Sequence, residues 1–161
     1  MNAQQTKQKG FTIIEVVLVL AIAGLIFLMV FIALPALQRN QRDTARKGDA
    51  SALASAFTTA TNNSRGTPPA DATIPSTQFG TSGTGVPVFA RYIDNLSGNS
   101  TSVIIRDRGT ATTVTPADGE LIIVKAAKCG TDEGTMGPGT KRQIAIFTLL
   151  EGGDAVFCQG S

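Results

Sequence analysis

The 161-residue chain contains no histidine, which removes the commonest general base and metal ligand available near neutral pH. Its two cysteines, Cys129 and Cys158, are too few for a structural zinc site without other ligands, and with no histidine or C-x-x-C partner neither reads as a catalytic thiol. Charge is scarce and almost balanced, with 14 Lys and Arg against 12 Asp and Glu. The net +2 is too small to call for a nucleic-acid partner. Asp107, Asp118, Glu120, Asp132, Glu133, Glu151 and Asp154 all fall in predicted turns or at strand ends, where acids usually sit in water, and none is joined to a base or nucleophile. Asp132-Glu133-Gly134 lacks the ligand count of a calcium loop. The expectation is therefore a protein that is not an enzyme and holds no metal or cofactor.

What the chain does have is one long apolar run. Residues 11–34 number 24 and include a single ionisable side chain, Glu15. A bilayer core needs roughly 20 apolar helical residues, so the run is long enough to span, with some tilt. It is apolar all round and shows no amphipathic period. A carboxylate held in lipid costs about 2.5–3.5 kcal/mol, so Glu15 needs a proton or a cation. No Lys, Arg or His lies within the run, so a cationic partner must come from elsewhere. A cut between Gly10 and Phe11 would create one, because the new α-amino group would sit at the depth of Glu15, in its own chain or in a neighbour. Residues 1–10 are polar, with Lys7 and Lys9 as their charged side chains. They lack the apolar core and the A-x-A-like site of a general secretory signal, and they read as a short leader.

Lys9-Gly10-Phe11-Thr12-Ile13-Ile14-Glu15 followed by a long apolar helix resembles the class III signal of type IV pilins and of the related type II secretion pseudopilins. The resemblance covers the first quarter of the chain. It implies cleavage by a prepilin peptidase after Gly10, N-methylation of the new terminal Phe11, and pairing of Glu15 with a neighbour's N-terminus during assembly. Gly24 and the run Leu34-Pro35-Ala36-Leu37-Gln38 also resemble the family's helix, with Gly24 and Pro35 as the places where it would bend, although Pro35 lies about one turn later than in the best-known Gram-negative pilins. Pro35 would kink or locally melt the turn before it. Cys129 and Cys158 resemble the disulfide-bounded C-terminal region of many pilins, and a bond between them would stabilise by about 3–4 kcal/mol on loop-entropy grounds. Two buried free thiols are the alternative.

Beyond the run, residues 38–61 continue the helix with a change of character. Ala50, Leu53, Ala54, Phe57 and Ala60 recur at helical spacing and predict one packed face. Asn62-Asn63 and Gly66-Thr67-Pro68-Pro69 end it. Arg39, Arg42 and Arg46 share a face, and without interleaved aromatics they read as a solvated, lipid-facing or subunit-facing stripe rather than a DNA site. Residues 62–85 read as a loop and residues 86–161 as a β-sheet. Strands are predicted at 86–93, 103–106, 110–115, 120–127, 143–150 and 155–158, with a hairpin turn at Asp107-Arg108-Gly109 and another at Glu151-Gly152-Gly153-Asp154. Leu53 and Phe57 are expected to pack on Ile122, Val124, Ile144 and Ile146. Asn62, Asn95 and Asn99 each begin an N-x-S/T triplet, which carries little weight in a presumed bacterial protein.

The expectation is an α+β fold in which a long N-terminal α-helix, half membrane-spanning and half amphipathic, packs on a C-terminal antiparallel sheet of four or five strands. The segments are a leader at 1–10, an apolar transmembrane and filament-core helix at 11–37, and a globular head at 38–161. Counting Arg39, Arg42, Arg46 and Lys47 against Lys7, Lys9 and the N-terminus would place the head in the cytoplasm. The leader resemblance and the cysteines outweigh that count and place it outside. By resemblance, the function is a structural subunit of a type IV pilus filament for adhesion, twitching motility or DNA uptake. It is held in the inner membrane and then assembled on the cell surface. Its partners would be other copies of itself, minor pilins, the prepilin peptidase, and an assembly platform with its ATPase. A pseudopilin of a secretion or competence system, or a membrane-anchored binding module, are the rivals.

Overall fold

The computed structural model describes residues 10–94, 96–97, 100–151 and 155–161. Lys7, Lys9, Asn95, Asn99 and the Gly152-Gly153-Asp154 turn lie outside the described residues. The chain divides into two compact units, Met1–Gln38 and Arg39–Ser161, and one helix, α1 (Ile13–Asn63), contributes to both. The architecture is α+β.

In the first unit, α1 carries the apolar run and stays helical through Gly24 and Pro35. Proline removes one donor from the ladder, and here the flanking turns keep their helical conformation without it. The turn before Pro35 is therefore not melted.

In the second unit, α1 turns amphipathic, and Ala50, Leu53, Phe57 and Ala60 are buried. The helix stops in a Schellman turn. Gly66 N–H donates to the Thr61 carbonyl at 2.8 Å and Arg65 N–H to that of Asn62 at 3.3 Å, with Arg65 itself in the left-handed region at φ 57°.

Five strands form the main sheet, in the order β1 (Ala72–Pro75), β2 (Ser102–Asp107), β3 (Glu120–Lys125), β6 (Ile144–Leu149) and β7 (Val156–Gly160). A separate two-stranded ribbon pairs β4 (Ala127–Cys129) with β5 (Met136–Pro138). The sheet is mixed, because β2 and β3 run parallel, with Val103 beside Leu121 and Ile105 beside Ile123. The expected hairpin at Asp107-Arg108-Gly109 is therefore corrected. Gly109 does turn the chain at φ 55°, but residues 110–113 carry no alternating apolar set to bury and stay exposed. The segment crosses over the sheet instead, anchored by Val114, and delivers β3 in the same direction as β2.

Two further expectations fail for identifiable reasons. Residues 86–93 form a 3-10 helix, Val88–Tyr92, rather than a strand. Pro87 opens it, and Phe89, Ala90 and Ile93 are buried together, a helical spacing and not an alternating one. The stretch read as loop contains β1, where Ile74 is fully buried and Pro75 is tolerated because β1 is an edge strand.

Both faces of the sheet are covered. Leu121, Ile123, Ile144 and Ile146 join Leu53 and Phe57 on the helix side. Ile122 and Val124 point the other way, to Ala145, Phe147, Val114, Ala127 and Met136 under the β4–β5 ribbon. The sequence reading had placed Ile122 and Val124 against the helix. With all of 121–124 buried, alternation carries no sign of which parity faces which layer. The ribbon is held down by the Cys129–Cys158 disulfide, Cα–Cα 5.9 Å, and by the absence of a side chain at Gly139, where a Cβ would meet the Ala127 backbone at 2.8 Å.

The arginine stripe is the largest correction. Arg46 is 4% exposed and donates to the Leu149 carbonyl at 2.5 Å, to Asp118 at 2.7 Å and to Glu151 at 3.0 Å. Its Nε is buried without an acceptor among the described residues. Arg42 reaches the other oxygen of Glu151 at 2.5 Å, and Asp43 accepts the Glu151 N–H at 2.7 Å. Glu151 is thus no solvated turn acid. It fastens the end of β6 to the helix. Nearby, the buried carboxylate of Asp49 accepts from the Ser97 N–H, Ser97 Oγ and Ser100 Oγ at 2.7–2.9 Å.

At the end of the central strand β3, Lys125 Nζ lies 2.6 Å from Asp71 and 3.4 Å from Asp107, and donates to the Pro69 carbonyl. The hydrogen bond from Lys125 holds the Asp71 carboxyl below the usual carboxylate range. Burial alone would lower Lys125, but the bonds and charges of Asp71 and Asp107 outweigh it and raise that ammonium.

Two outcomes follow from these contacts. Arg46→Ala should lower the unfolding free energy by about 1–3 kcal/mol, because it empties a buried site and leaves the Leu149 carbonyl without its donor while Arg42 still holds Glu151, whereas Arg39→Ala should change it by less than about 0.5 kcal/mol. Denaturant unfolding of both variants checks this. The stability that Asp71 contributes is present above about pH 4 and lost as pH falls through its depressed folded value. That of Lys125 is present below about pH 10 and lost as pH rises through its raised one. The stability gap between wild type and Asp71→Asn should therefore be widest from roughly pH 5 to 9 and narrow beyond both ends, and a gap independent of pH would contradict the pair.

Candidate assembly site

Helix α1 begins at Ile13, and Thr12 is its N-cap. Thr12 N–H and Thr12 Oγ1 both donate to Glu15 Oε2 at 2.9 Å, and Glu15 N–H points back to Thr12 Oγ1 at 3.4 Å. This is a reciprocal capping box, in which side chain and backbone at the helix start satisfy one another. A helix N-terminus carries about half a positive charge, so the carboxylate is favoured there as well. Glu15 thus has partners inside its own chain, both of them neutral. The expectation of a proton or a cation for Glu15 left Thr12 out. The signal was available, since Thr12-Ile13-Ile14-Glu15 is an S/T-x-x-E pattern ahead of an apolar run. Among the described residues no donor reaches Glu15 Oε1.

Gly10 and Phe11 precede the helix and are exposed, Phe11 at 89%. Phe11, Glu15, Val16, Val19 and Leu20 line one shallow concavity on the same side of α1. Beyond it the apolar side chains continue exposed to Leu37, and Gly24 has nothing within 4 Å of where a side chain would begin. Among the described residues α1 is the one helix long and apolar enough to cross a membrane. The site is therefore an acid close to Phe11 at one end of an uncovered apolar helix. It can offer one carboxylate oxygen and a wide non-polar surface.

Elsewhere, among the described residues, no three of Asp, Glu, Cys or His gather as a metal site. The Asp132-Glu133-Gly134 loop is closed by its own Thr135, whose hydroxyl donates to the Asp132 carbonyl at 2.6 Å.

Replacing Thr12 by Val removes the hydroxyl arm of the box and should cost about 1 kcal/mol of local helix stability. In detergent-solubilised protein, the Glu15 and Val16 amides should then exchange with solvent roughly fivefold faster, while amides in the β3–β6 core stay unchanged.

The family model for the prokaryotic N-terminal methylation motif matches residues 5–31, a stretch that contains Gly10, Phe11, the Thr12–Glu15 box and most of the apolar run. No curated protein and no solved structure matches the chain. Motif, capping acid and uncovered apolar helix coincide, and the chain opens with the class III signal peptide shared by type IV pilins and pseudopilins.

Proposed function

We propose that the chain is the structural subunit of a type IV pilus filament, cut after Gly10, N-methylated at Phe11 and polymerised through α1. The observation that carries this reading is the exposed apolar helix with a single acid at its start, inside the methylation motif. Before assembly that helix is stored in the cytoplasmic membrane. Afterwards the same surface is buried among the helices of other copies. Transfer from lipid to a helix bundle is close to neutral, because both environments are apolar, so extraction needs an external motor. By the family resemblance, a platform protein and its ATPase supply it, and minor pilins join the fibre.

Glu15 sets the register. In the stored subunit its carboxylate rests on the neutral donors of Thr12. The cut turns Phe11 into an ammonium, and an ammonium of a neighbouring copy is a charge-assisted donor roughly twice as strong as a neutral one. A subunit is therefore captured when its register brings a free N-terminus to a Glu15.

The head is read as extracytoplasmic. Its disulfide suits an oxidising compartment. The basic count that pointed to the cytoplasm has a different origin, since Arg42 and Arg46 are internal ion-pair partners and Lys47 lies 5.5 Å above the Phe157 ring. These side chains serve the head's own packing, and the chain is read as having no catalytic activity.

The test is Glu15→Val in the native cell, with intact-mass spectrometry beside fibre counts. Fibres should disappear while the membrane retains a chain that begins at Phe11, one methyl heavier and two hydrogens lighter. Normal fibres in the variant would sink the pairing role. A wild-type chain that keeps residues 1–10 would mark a permanent anchor, and a processed wild-type chain confined to short periplasm-spanning structures would mark a pseudopilin.

A further inference from the structure

Six of the twelve basic side chains of the head have partners among the described residues, Arg108 through the Ala111 carbonyl. Arg42 and Arg46 pair with Glu151, Lys125 pairs with Asp71, and Lys47 and Arg91 lie over the rings of Phe157 and Tyr92. Arg65, Lys141 and Arg142 belong to the other six. None of the three has an ion pair, side-chain hydrogen bond or ring contact among the described residues. Yet all three line one cleft of about 350 Å³, walled by Phe57 and Pro68 and shared with Asn62.

Two distant segments build it. The Schellman turn that ends α1 presents Arg65, held by its own N–H to the Asn62 carbonyl. The turn before β6 presents Lys141 and Arg142, and it is closed by the Thr140 N–H donating to Gln143 Oε1 at 2.8 Å. A helix C-terminus attracts cations, but its charge is only about half an electron, which one cation already offsets. Three cations leave the cleft strongly positive, with no acid among its lining residues. Gathering like charges is unfavourable unless an anion joins them.

We propose that this cleft is an oxoanion site that takes a phosphate or sulfate group, free or carried on a larger molecule. Two guanidinium forks and an ammonium can meet several oxygens of a tetrahedral anion at once, whereas a planar carboxylate engages one fork and leaves two cations unmatched. The Asn62 amide, which has no side-chain partner among the described residues, adds a neutral donor. The hydroxyls of Thr58 and Thr61 do not, because they already donate to the Ala54 and Phe57 carbonyls. All three cations are exposed, so an incoming anion reaches them from solvent and salt screens them in part. The site is independent of whether the chain builds a pilus or a pseudopilus.

The experiment is a titration of the full chain in uncharged detergent with inorganic phosphate and, separately, with a short polyphosphate, followed by amide NMR. The amides of Asn62, Arg65, Gly66, Lys141 and Arg142 should shift and saturate, and added sodium chloride should weaken the response. Lys141→Gln with Arg142→Gln should reduce affinity about tenfold or more at an unchanged melting temperature. Arg65→Gln provides a second variant on the other segment, with the same expected loss. Polyphosphate binding no tighter than phosphate identifies a small free anion as the ligand, and much tighter binding identifies a polymer-borne one. Cleft amides that fail to shift with either probe, or variants that bind as well as the wild type, overturn the proposal.

Discussion

From Ile13 to Leu37 the large apolar side chains of α1 stand 49–85% exposed, and a surface of that extent persists only where lipid or other protein covers it. Everything else in the chain is arranged around that demand. The apolar segment cannot contribute to a soluble core and still remain free for a bilayer or for other copies. The head must then be stable on residues 39–161 alone, and α1 must change character within a single helix. It does so at Arg46, Asp49 and Ala50, the first buried positions along it.

Those first buried positions are mostly charged, which is unusual and informative. An apolar contact at the start of the head's helix would continue the membrane-compatible surface and leave the boundary undefined. Arg46 and Asp49 instead each demand specific partners, the end of β6 for one and the Ser97–Ser100 loop for the other. A buried ion cluster is weak as a source of net stability but strict about geometry. It fixes where along α1 the sheet docks. Further along, Leu53 and Phe57 supply the bulk of the apolar burial against Leu121, Ile123, Ile144 and Ile146.

The parts legible in the sequence were those with a long or repeated signal. The apolar run, the stripe of Ala50, Leu53, Phe57 and Ala60, and the strands β3, β6 and β7 are each carried by several consecutive residues. What escaped were features set by tertiary partners. β1 has one buried residue, Ile74, and no pattern can be read from one residue. The parallel pairing of β2 with β3 depends on where a 12-residue connection goes, and its path is set by the buried Val114 and by backbone bonds to Gly134 and Met136 far along the chain. Arg46 looked like a surface cation because its acids, Asp118 and Glu151, come from 72 and 105 residues away. At the N-terminus the motif and its acid are visible in the sequence, and the neutral cap supplied by Thr12 is carried only by the three-residue spacing between Thr12 and Glu15.

That cap changes the energetic picture of assembly. A bare carboxylate in lipid would have to be protonated or expelled, and a subunit waiting with it would be poorly held. With two donors on Oε2, the acid is tolerable in the stored state and still has Oε1 to offer. In the proposed filament, the neighbour's ammonium then competes against neutral hydrogen bonds rather than against a void. The gain on capture is the difference between a charge-assisted and a neutral bond, a few kcal/mol at most. A difference of that size is large enough to select one register among many similar apolar contacts. It is small enough for that contact to remain reversible in such a filament.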